Sequence, residues 1–122
     1  MINFLLLLVS IVISLITYPL AISYTIFKAA IDKKLGSGYM SYRWLEMAIS
    51  IDKVGNAICY DLLNKICILK SSKHKFGIIR ETISSVLGKN KKDKTLTDFG
   101  VALSNLLNWL DKHHVEESIT WL

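Results

Sequence analysis

The stretch INFLLLLVSIVISLITYPLAISYTIF, residues 2–27, contains no charged side chain and consists mostly of leucine, isoleucine and valine. A single helix over this stretch is long enough to cross the ~30 Å hydrocarbon layer of a bilayer. Pro19 is expected to bend that helix, because its ring removes an amide donor. The side chains expected to contact lipid or apolar protein partners are Phe4, Leu5, Leu6, Leu7, Leu8, Val9, Ile11, Val12, Ile13, Leu15, Ile16 and Leu20.

Three interpretations compete for this segment: a cleaved signal peptide, a retained membrane helix, and an apolar helix buried in a protein assembly. A signal peptide has a basic region before its apolar core and a small-residue cleavage site after it. Residues 2–27 have neither a preceding Lys or Arg nor a clear A-x-A site. We therefore favour a retained membrane helix, with the assembly helix as the alternative.

The charges that flank the apolar segment predict its orientation. Lys28, Lys33, Lys34 and Arg43 follow it, and no basic side chain precedes it. Lys and Arg close to a membrane helix tend to remain on the cytoplasmic side. We expect the N-terminus outside and the C-terminal domain in the cytoplasm.

The composition predicts an all-α fold. Hydrophobic residues make up 52% of the 122 residues and Pro19 is the only proline, which argues against disorder and against a loop-rich β architecture. We expect residues 1–35 to form the apolar transmembrane-type helix and to reach the Gly36-Ser37-Gly38 joint. Residues 36–122 are expected to form a small helical domain of three to four helices, with a basic middle part (65–94) and an acidic C-terminal part.

Residues typical of helix ends divide this domain into separate helices. Ser41 is expected to cap a helix that Gly55 and Asn56 interrupt or bend, and the helical pattern then resumes and ends near Leu69. A short helix from Arg80 to Leu87 is expected to end at Gly88, because glycine tolerates the left-handed conformation common after a helix.

The last clear helix carries the most regular apolar pattern of the chain. Thr95 or Thr97 is expected to cap it. Its apolar residues recur at intervals of three and four and are expected to form the core of the C-terminal part. They are Leu96, Phe99, Leu103, Leu106 and Leu110.

Basic residues are concentrated in the middle of the chain. Residues 65–94 contain nine Lys or Arg against two acids, a local charge of +7, whereas residues 95–122 have a charge of −3. Such a band is a solvated surface, a contact for anionic lipid or a protein partner, or a site for nucleic-acid phosphates. The residues predicted as a basic contact surface are Lys70, Lys73, Lys75, Lys89, Lys91, Lys92 and Lys94.

The sequence contains no nucleophile elbow, phosphate-binding glycine loop or H-E-x-x-H helix. A hydrolytic site would have to be assembled from Glu81, Ser84, Ser85, Asp111, His113 and His114, and each of these also suits a helix end or a loop. A zinc site from Cys59, Cys67, His74 and one of His113 or His114 lacks the usual paired spacing. We therefore predict no metal or cofactor and do not favour an enzyme.

Four polar segments follow one another in the second part of the chain: an I-D-x-x-x-N helix at residues 51–56, the segment ETISS at 81–85, Gly88-Lys89, and Leu110-Asp111 followed by His114 and Ser118-Ile119. This order resembles that of small tailed-bacteriophage proteins of unassigned activity, and the resemblance covers roughly residues 42–119. The chain has Lys112 and Val115 where those proteins tend to have proline and cysteine. The resemblance implies a viral setting and a polar signature of unassigned role: Asp52, Asn56, Glu81, Ser84, Ser85, Lys89, Asp111 and His114.

These observations favour a non-enzymatic, membrane-anchored phage protein that acts as a structural or interaction component of a virion or of the infected-cell envelope. Its expected partners are membrane lipid or apolar proteins at residues 2–27, and other phage proteins or further copies of itself. Nucleic acid is not favoured. The alternatives are a lysis or host-takeover factor of the inner membrane, of the holin-associated type, and a small membrane-bound hydrolase that uses His114.

Overall fold

The computed structural model describes residues 1–33, 36 and 38–121, and its regular elements are all helices, as the composition predicts. In chain order they are α1 (Ile2–Ile31), α2 (Gly38–Ile58), α3 (Tyr60–Ile66), α4 (Ile83–Asp93), α5 (Asp98–Leu110) and α6 (His114–Glu117). Two residues outside the helices, Ile68 and Leu96, form an isolated antiparallel bridge.

The chain divides into two compact units, Met1–Leu45 and Glu46–Leu122. The division falls inside α2 and not at the Gly36-Ser37-Gly38 joint, and Ser37 lies outside the described residues. In the first unit, α1 is long and apolar enough to cross a membrane, and none of its most apolar window is buried.

The core of the second unit lies between α4, α5, α6 and the segment that follows α3. Its buried side chains are Cys67, Ile68, Phe76, Val86, Leu87 and Val115. Leu63, Ile66, Ile83, Leu96, Leu103 and Leu107 pack around them and are partly buried.

Two predicted boundaries near α2 are wrong. The helix begins at Gly38, so Ser41 lies within it, and it runs through Gly55 and Asn56 to Ile58. Cys59 separates it from α3, which begins at Tyr60. Gly55 is tolerated inside α2 because it faces a neighbour: a Cβ there would lie 3.3 Å from Cδ1 of Ile83.

The predicted end of the fourth helix is also wrong. Gly88 lies in the middle of α4, and the lysine-rich stretch after it is helical as far as Asp93. The helix ends where Lys94 adopts a left-handed conformation with φ of 57°. Gly88 is needed for close packing, because a Cβ there would lie 2.1 Å from the carbonyl oxygen of Val115.

Helix α5 is rotated relative to the predicted stripe. Thr97 caps it by accepting a hydrogen bond from the Gly100 amide, as one of the two predicted options states. Its closest approach to the core uses small residues: Gly100 and Ser104 are buried, and a Cβ on Gly100 would lie 2.1 Å from the Cys67 carbonyl oxygen. This rotation leaves Leu103 half-buried and brings Leu107 to the core, and Leu96, which precedes α5, is half-buried beside Ile68. The predicted core residues Phe99, Leu106 and Leu110 are 54%, 51% and 68% exposed.

Candidate functional site

Two side chains cap the N-terminus of α4. The Thr82 hydroxyl accepts a hydrogen bond from the Ser85 amide, with an N–O distance of 3.0 Å. Asp52, from α2, accepts one from the Ile83 amide at 2.6 Å. The first amides of a helix lack partners within the helix, and a carboxylate also interacts favourably with the helix dipole there. Asp52 therefore fixes the start of α4 against α2.

The same region contains a continuous chain of polar contacts. The Ser84 hydroxyl lies 3.1 Å from Oδ2 of Asp52 and 3.1 Å from Nε2 of His114. The other ring nitrogen of His114, Nδ1, lies 3.0 Å from Oδ2 of Asp111. The sequence thus places a carboxylate, a histidine and a serine in hydrogen-bonding order, and adds a second carboxylate beyond the serine.

Counting protons shows what this chain of contacts can do. A hydrolytic serine donates its only proton to the histidine, which takes it as the nucleophile attacks. Here Asp52 accepts from the same hydroxyl, and a carboxylate has no proton of its own to give. When Ser84 donates to Asp52, Nε2 of His114 must be the donor to Ser84. Three hydrogen bonds are then complete only if both ring nitrogens carry protons.

The residues that form this series of polar contacts differ sharply in their exposure to solvent. Ser84 is 3% exposed, whereas the side chains of His114 and Asp111 are 32% and 71% exposed. The serine oxygen lies between α2, α4 and α6, and the His114 imidazole and the Asp111 carboxylate reach solvent. This geometry joins three helices, and it leaves little access for a substrate at the Ser84 hydroxyl.

A second buried cluster lies on the next face of α4. Glu81, Ser85 and Lys89 are 3%, 0% and 5% exposed. The Ser85 hydroxyl donates to Oε2 of Glu81 at 2.6 Å, and the Lys89 ammonium pairs with the same oxygen. The Thr120 amide donates to the Ser85 hydroxyl at 2.9 Å, which attaches the C-terminal segment to α4. Removing either Glu81 or Lys89 alone would leave the other as an uncompensated buried charge and would destabilise the domain.

Asn56 organises the loop that leads into α4. The residue is fully buried. Its amide nitrogen donates to the carbonyls of Ile78 and Glu81 at 3.0 and 2.7 Å, and its oxygen accepts from the Gly77 amide at 2.9 Å. Gly77 has φ of 129°, a conformation that favours glycine. The I-D-x-x-x-N pattern therefore supplies two contacts one helical turn apart, Asp52 to the helix start and Asn56 to the loop before it.

Asn90 is the main structural residue that the sequence interpretation missed. The predicted helix end at Gly88 leaves Asn90 outside the helix, yet the residue is fully buried within α4. Its amide nitrogen donates to the carbonyls of His74 and Val86 at 2.8 and 2.9 Å, and its oxygen accepts from the Thr95 hydroxyl at 2.6 Å and from the Ser72 hydroxyl. A sequence signal existed, because Asn90 lies on the same face of α4 as buried Val86, four residues earlier.

The predicted basic surface loses one member and is otherwise exposed. Lys89 does not belong to it, because the residue is buried and paired with Glu81. Lys91 is exposed but pairs with Glu116 of the acidic C-terminal part. This hydrogen bond, the amide of Asn108 and the positive charge of Lys91 hold the pKa of Glu116 below its usual range. The remaining exposed members are Lys70, Lys73, Lys75, Lys92 and Lys94.

Other candidate residues are not brought together. Glu81 pairs with Lys89 and not with His114, and His113 is exposed with φ of 59° at the start of α6. Within the described ranges, no group of three or more His, Cys, Asp or Glu side chains is placed to hold a metal ion. Cys59 is exposed and Cys67 is buried, and burial raises the pKa of the Cys67 thiol.

The predicted membrane-contacting side chains are all exposed on α1. They are Phe4, Leu5, Leu6, Leu7, Leu8, Val9, Ile11, Val12, Ile13, Leu15, Ile16 and Leu20. Polar side chains along α1 return their hydrogen bonds to the helix: the hydroxyls of Ser10, Ser14 and Thr25 donate to the carbonyls four residues earlier, at 2.8, 2.7 and 2.9 Å. This arrangement leaves those donors satisfied without water.

Comparison of the chain with protein-family models, with curated proteins and with solved structures gave no significant match.

Proposed function

We propose that this protein is a non-enzymatic membrane-anchored protein whose helical domain binds other proteins. The observation that carries the proposal is α1, a helix of 30 residues with none of its most apolar window buried. In water, so large an apolar surface would be strongly unfavourable, whereas in a bilayer it matches the surrounding solvent. The basic residues that follow α1 favour a cytoplasmic location for the domain.

The second unit supports an interaction role by the apolar side chains it exposes. In the last two turns of α5, Leu106, Trp109 and Leu110 are 51%, 80% and 68% exposed. Contiguous exposed apolar residues rimmed by polar ones often mark a protein-binding surface. The viral part of the proposal, a component of a virion or of the infected-cell envelope, is supported by the sequence resemblance alone.

Anchoring is tested by two matched double variants in α1. Leu8→Arg with Val12→Arg places two charges within the apolar run. Each charge at the bilayer centre raises the free energy of membrane insertion by about 2.5–3.5 kcal/mol. Leu8→Ala with Val12→Ala shortens the same side chains without adding charge. The wild type and the alanine variant should remain with membranes after carbonate extraction, and the arginine variant should be depleted. Wild-type chain in the aqueous fraction would contradict the proposal.

The exposed thiol of Cys59 provides a test of orientation. In intact spheroplasts, a membrane-impermeant maleimide should leave a cytoplasmic Cys59 unlabelled, and it should label the residue after lysis. Labelling before lysis would place the domain outside. The Cys59→Ser variant controls for reaction at the buried Cys67.

One observation favours a second candidate function, a hydrolase. Ser84, His114 and Asp111 follow the order of a nucleophile, a base and an orienting carboxylate. In such a reaction the Ser84 hydroxyl would leave Asp52, and its oxygen would attack a carbonyl carbon while its proton passes to Nε2 of His114. The bond from that carbon to the leaving group would then break as His114 gives the proton to the leaving group, and water would release the acyl group from Ser84 by the same route. A fluorophosphonate probe separates the two functions. Labelling that is lost in Ser84→Ala and His114→Gln would favour the hydrolase, and an unlabelled wild type would favour the binding protein.

A further inference from the structure

Lysines from two separate segments lie at one end of the second unit. The loop after α3 carries Lys70 and Lys73, and the end of α4 carries Lys92 and Lys94. Side-chain and backbone contacts hold the two segments together. Asn90 donates to the His74 carbonyl at 2.8 Å, the Leu69 amide donates to the Thr95 carbonyl at 2.9 Å, and the His74 ring lies 3.3 Å from the Asp93 carboxylate.

These four lysines remain available to an external anion. All four are exposed, and among the described residues none of them pairs with a carboxylate. The nearby acids are already engaged, since Asp93 faces His74 and Glu116 pairs with Lys91. The result is a local excess of positive charge on one surface.

An exposed indole lies within this cationic surface. Trp121 is 64% exposed. The ammonium groups of Lys89 and Lys92 lie 5.0 and 5.7 Å from its ring centroid, and the His74 ring meets it edge-on at 5.7 Å. The preceding residue, Thr120, is hydrogen-bonded to Ser85, so the indole is attached to α4 and not to a free tail. Tryptophan flanked by lysine is the combination enriched at the headgroup level of membranes.

We propose that Lys70, Lys73, Lys92, Lys94 and Trp121 form a surface that lies against the anionic phospholipid headgroups of the leaflet facing the domain. The inference depends on α1 being the membrane anchor proposed above. Because α2 begins seven residues after α1 ends, the anchor would tether the domain to that leaflet. Such a tether raises the effective concentration of headgroups at the cationic surface, which favours lipid over free nucleic acid as the occupant.

The full-length chain tests this inference through Trp121. Trp44→Phe and Trp109→Phe leave Trp121 as the only indole, and the chain is reconstituted into vesicles of phosphatidylcholine alone or with roughly one third phosphatidylglycerol. Lipids brominated near the headgroup serve as quenchers. Both leaflets have the same composition, so the direction of insertion does not affect the result. We expect stronger quenching of Trp121 in the phosphatidylglycerol vesicles, reversed by about 0.5 M salt.

Matched charge variants assign the effect to these lysines. Lys92→Gln with Lys94→Gln should abolish the phosphatidylglycerol-dependent quenching. Arg80→Gln with Lys112→Gln removes the same charge from exposed positions near the other end of α4 and should leave the quenching intact.

The possible results separate the two proposals. A chain that floats with both kinds of vesicle but shows equal quenching in them, or quenching that is insensitive to the Lys92/Lys94 change, overturns the headgroup surface and leaves the anchor standing. Unquenched Trp121 with salt-sensitive binding of a fluorescent DNA duplex also overturns it, in favour of nucleic acid. A chain that does not float with vesicles overturns the anchor and, with it, this inference.

Discussion

Gly88 of α4 and Val115 of α6 approach so closely that a Cβ on Gly88 would lie 2.1 Å from the Val115 carbonyl oxygen. The second close neighbour is Cγ1 of Ile119, at 2.8 Å from the same position. Because backbone cannot yield as a flexible side chain can, this contact fixes the distance between the two helices. It also brings His114 to Ser84, one turn earlier on α4, and Thr120 to Ser85.

Gly88→Ala should therefore destabilise the domain strongly, although alanine is the better helix former. Overpacking of a core costs about 1–3 kcal/mol, and a clash with backbone belongs at or above the upper end of that range. Denaturant unfolding of the full-length chain in detergent, followed by near-ultraviolet circular dichroism, measures the loss. Gly38→Ala is the control, because no neighbour among the described residues lies within 4 Å of the Cβ position there. Equal midpoints for the two variants would mean that α4 and α6 are not closely packed.

Asn56→Asp should also destabilise the domain, because it removes the two N–H donors of the side-chain amide. The shape of the side chain remains nearly unchanged, so the effect reports on the hydrogen bonds. The aspartate keeps an oxygen for the Gly77 amide, but it places a carboxylate against the carbonyls of Ile78 and Glu81, which accept hydrogen bonds from Asn56. A buried charge or polar group without its partner typically costs about 1–3 kcal/mol or more. Asn105→Asp makes the same change at an exposed position of α5 and should be nearly neutral. A shift no larger than that of Asn105→Asp would argue against the Asn56 contacts.

The all-α class and the apolar first helix could be predicted because both follow from composition and uninterrupted length. The ends of the helices are harder to predict, because a glycine at a helix end and a glycine at a close helix crossing look alike in sequence. Gly88 is predicted as a helix end because glycine tolerates the left-handed conformation common there, yet in the structure it lies at a close helix crossing. Only the position of Val115 distinguishes the two cases, and that position depends on the whole fold.

The α5 stripe failed for a related reason. Hydrophobic periodicity assumes that the largest side chains face the core, whereas α5 packs through Gly100 and Ser104 at its closest approach. The sequence shows which polar residues belong to the signature, but it does not show which residues they form hydrogen bonds with. Asp52 and Ser84 are 32 positions apart, and the Ser84–Asp52 contact decides the direction in which the serine proton points.

The two cysteines should differ in reactivity. Cys67 is fully buried and burial raises the pKa of its thiol, so little thiolate is available, whereas Cys59 is exposed. Under native conditions a maleimide should modify one thiol per chain, and Cys59→Ser should remove that reaction. Denaturant should restore reaction at Cys67. Rapid native modification in the Cys59→Ser variant would show that the core around Val86 and Leu87 opens readily.

Acidification should weaken the contact between α4 and the acidic C-terminal part. The hydrogen bond from Lys91, supported by Asn108, holds the pKa of Glu116 below its usual range in the folded chain. A carboxyl group whose folded-state pKa is depressed contributes stability above its unfolded-state pKa, and this contribution is lost as pH falls through the folded-state pKa. Because both side chains are about 40% exposed, at 41% and 38%, the effect should be small and screened by salt.

Thermal melts of the full-length chain from about pH 6 to about pH 3 measure this effect. A Lys91→Gln variant should be less stable than wild type at the upper end of this range, and the difference should close at the lower end. Lys92→Gln, on the same helix but with no carboxylate partner among the described residues, should leave the shape of the pH profile unchanged. A Lys91→Gln difference that stays constant over this range would indicate lost packing and not a lost ion pair.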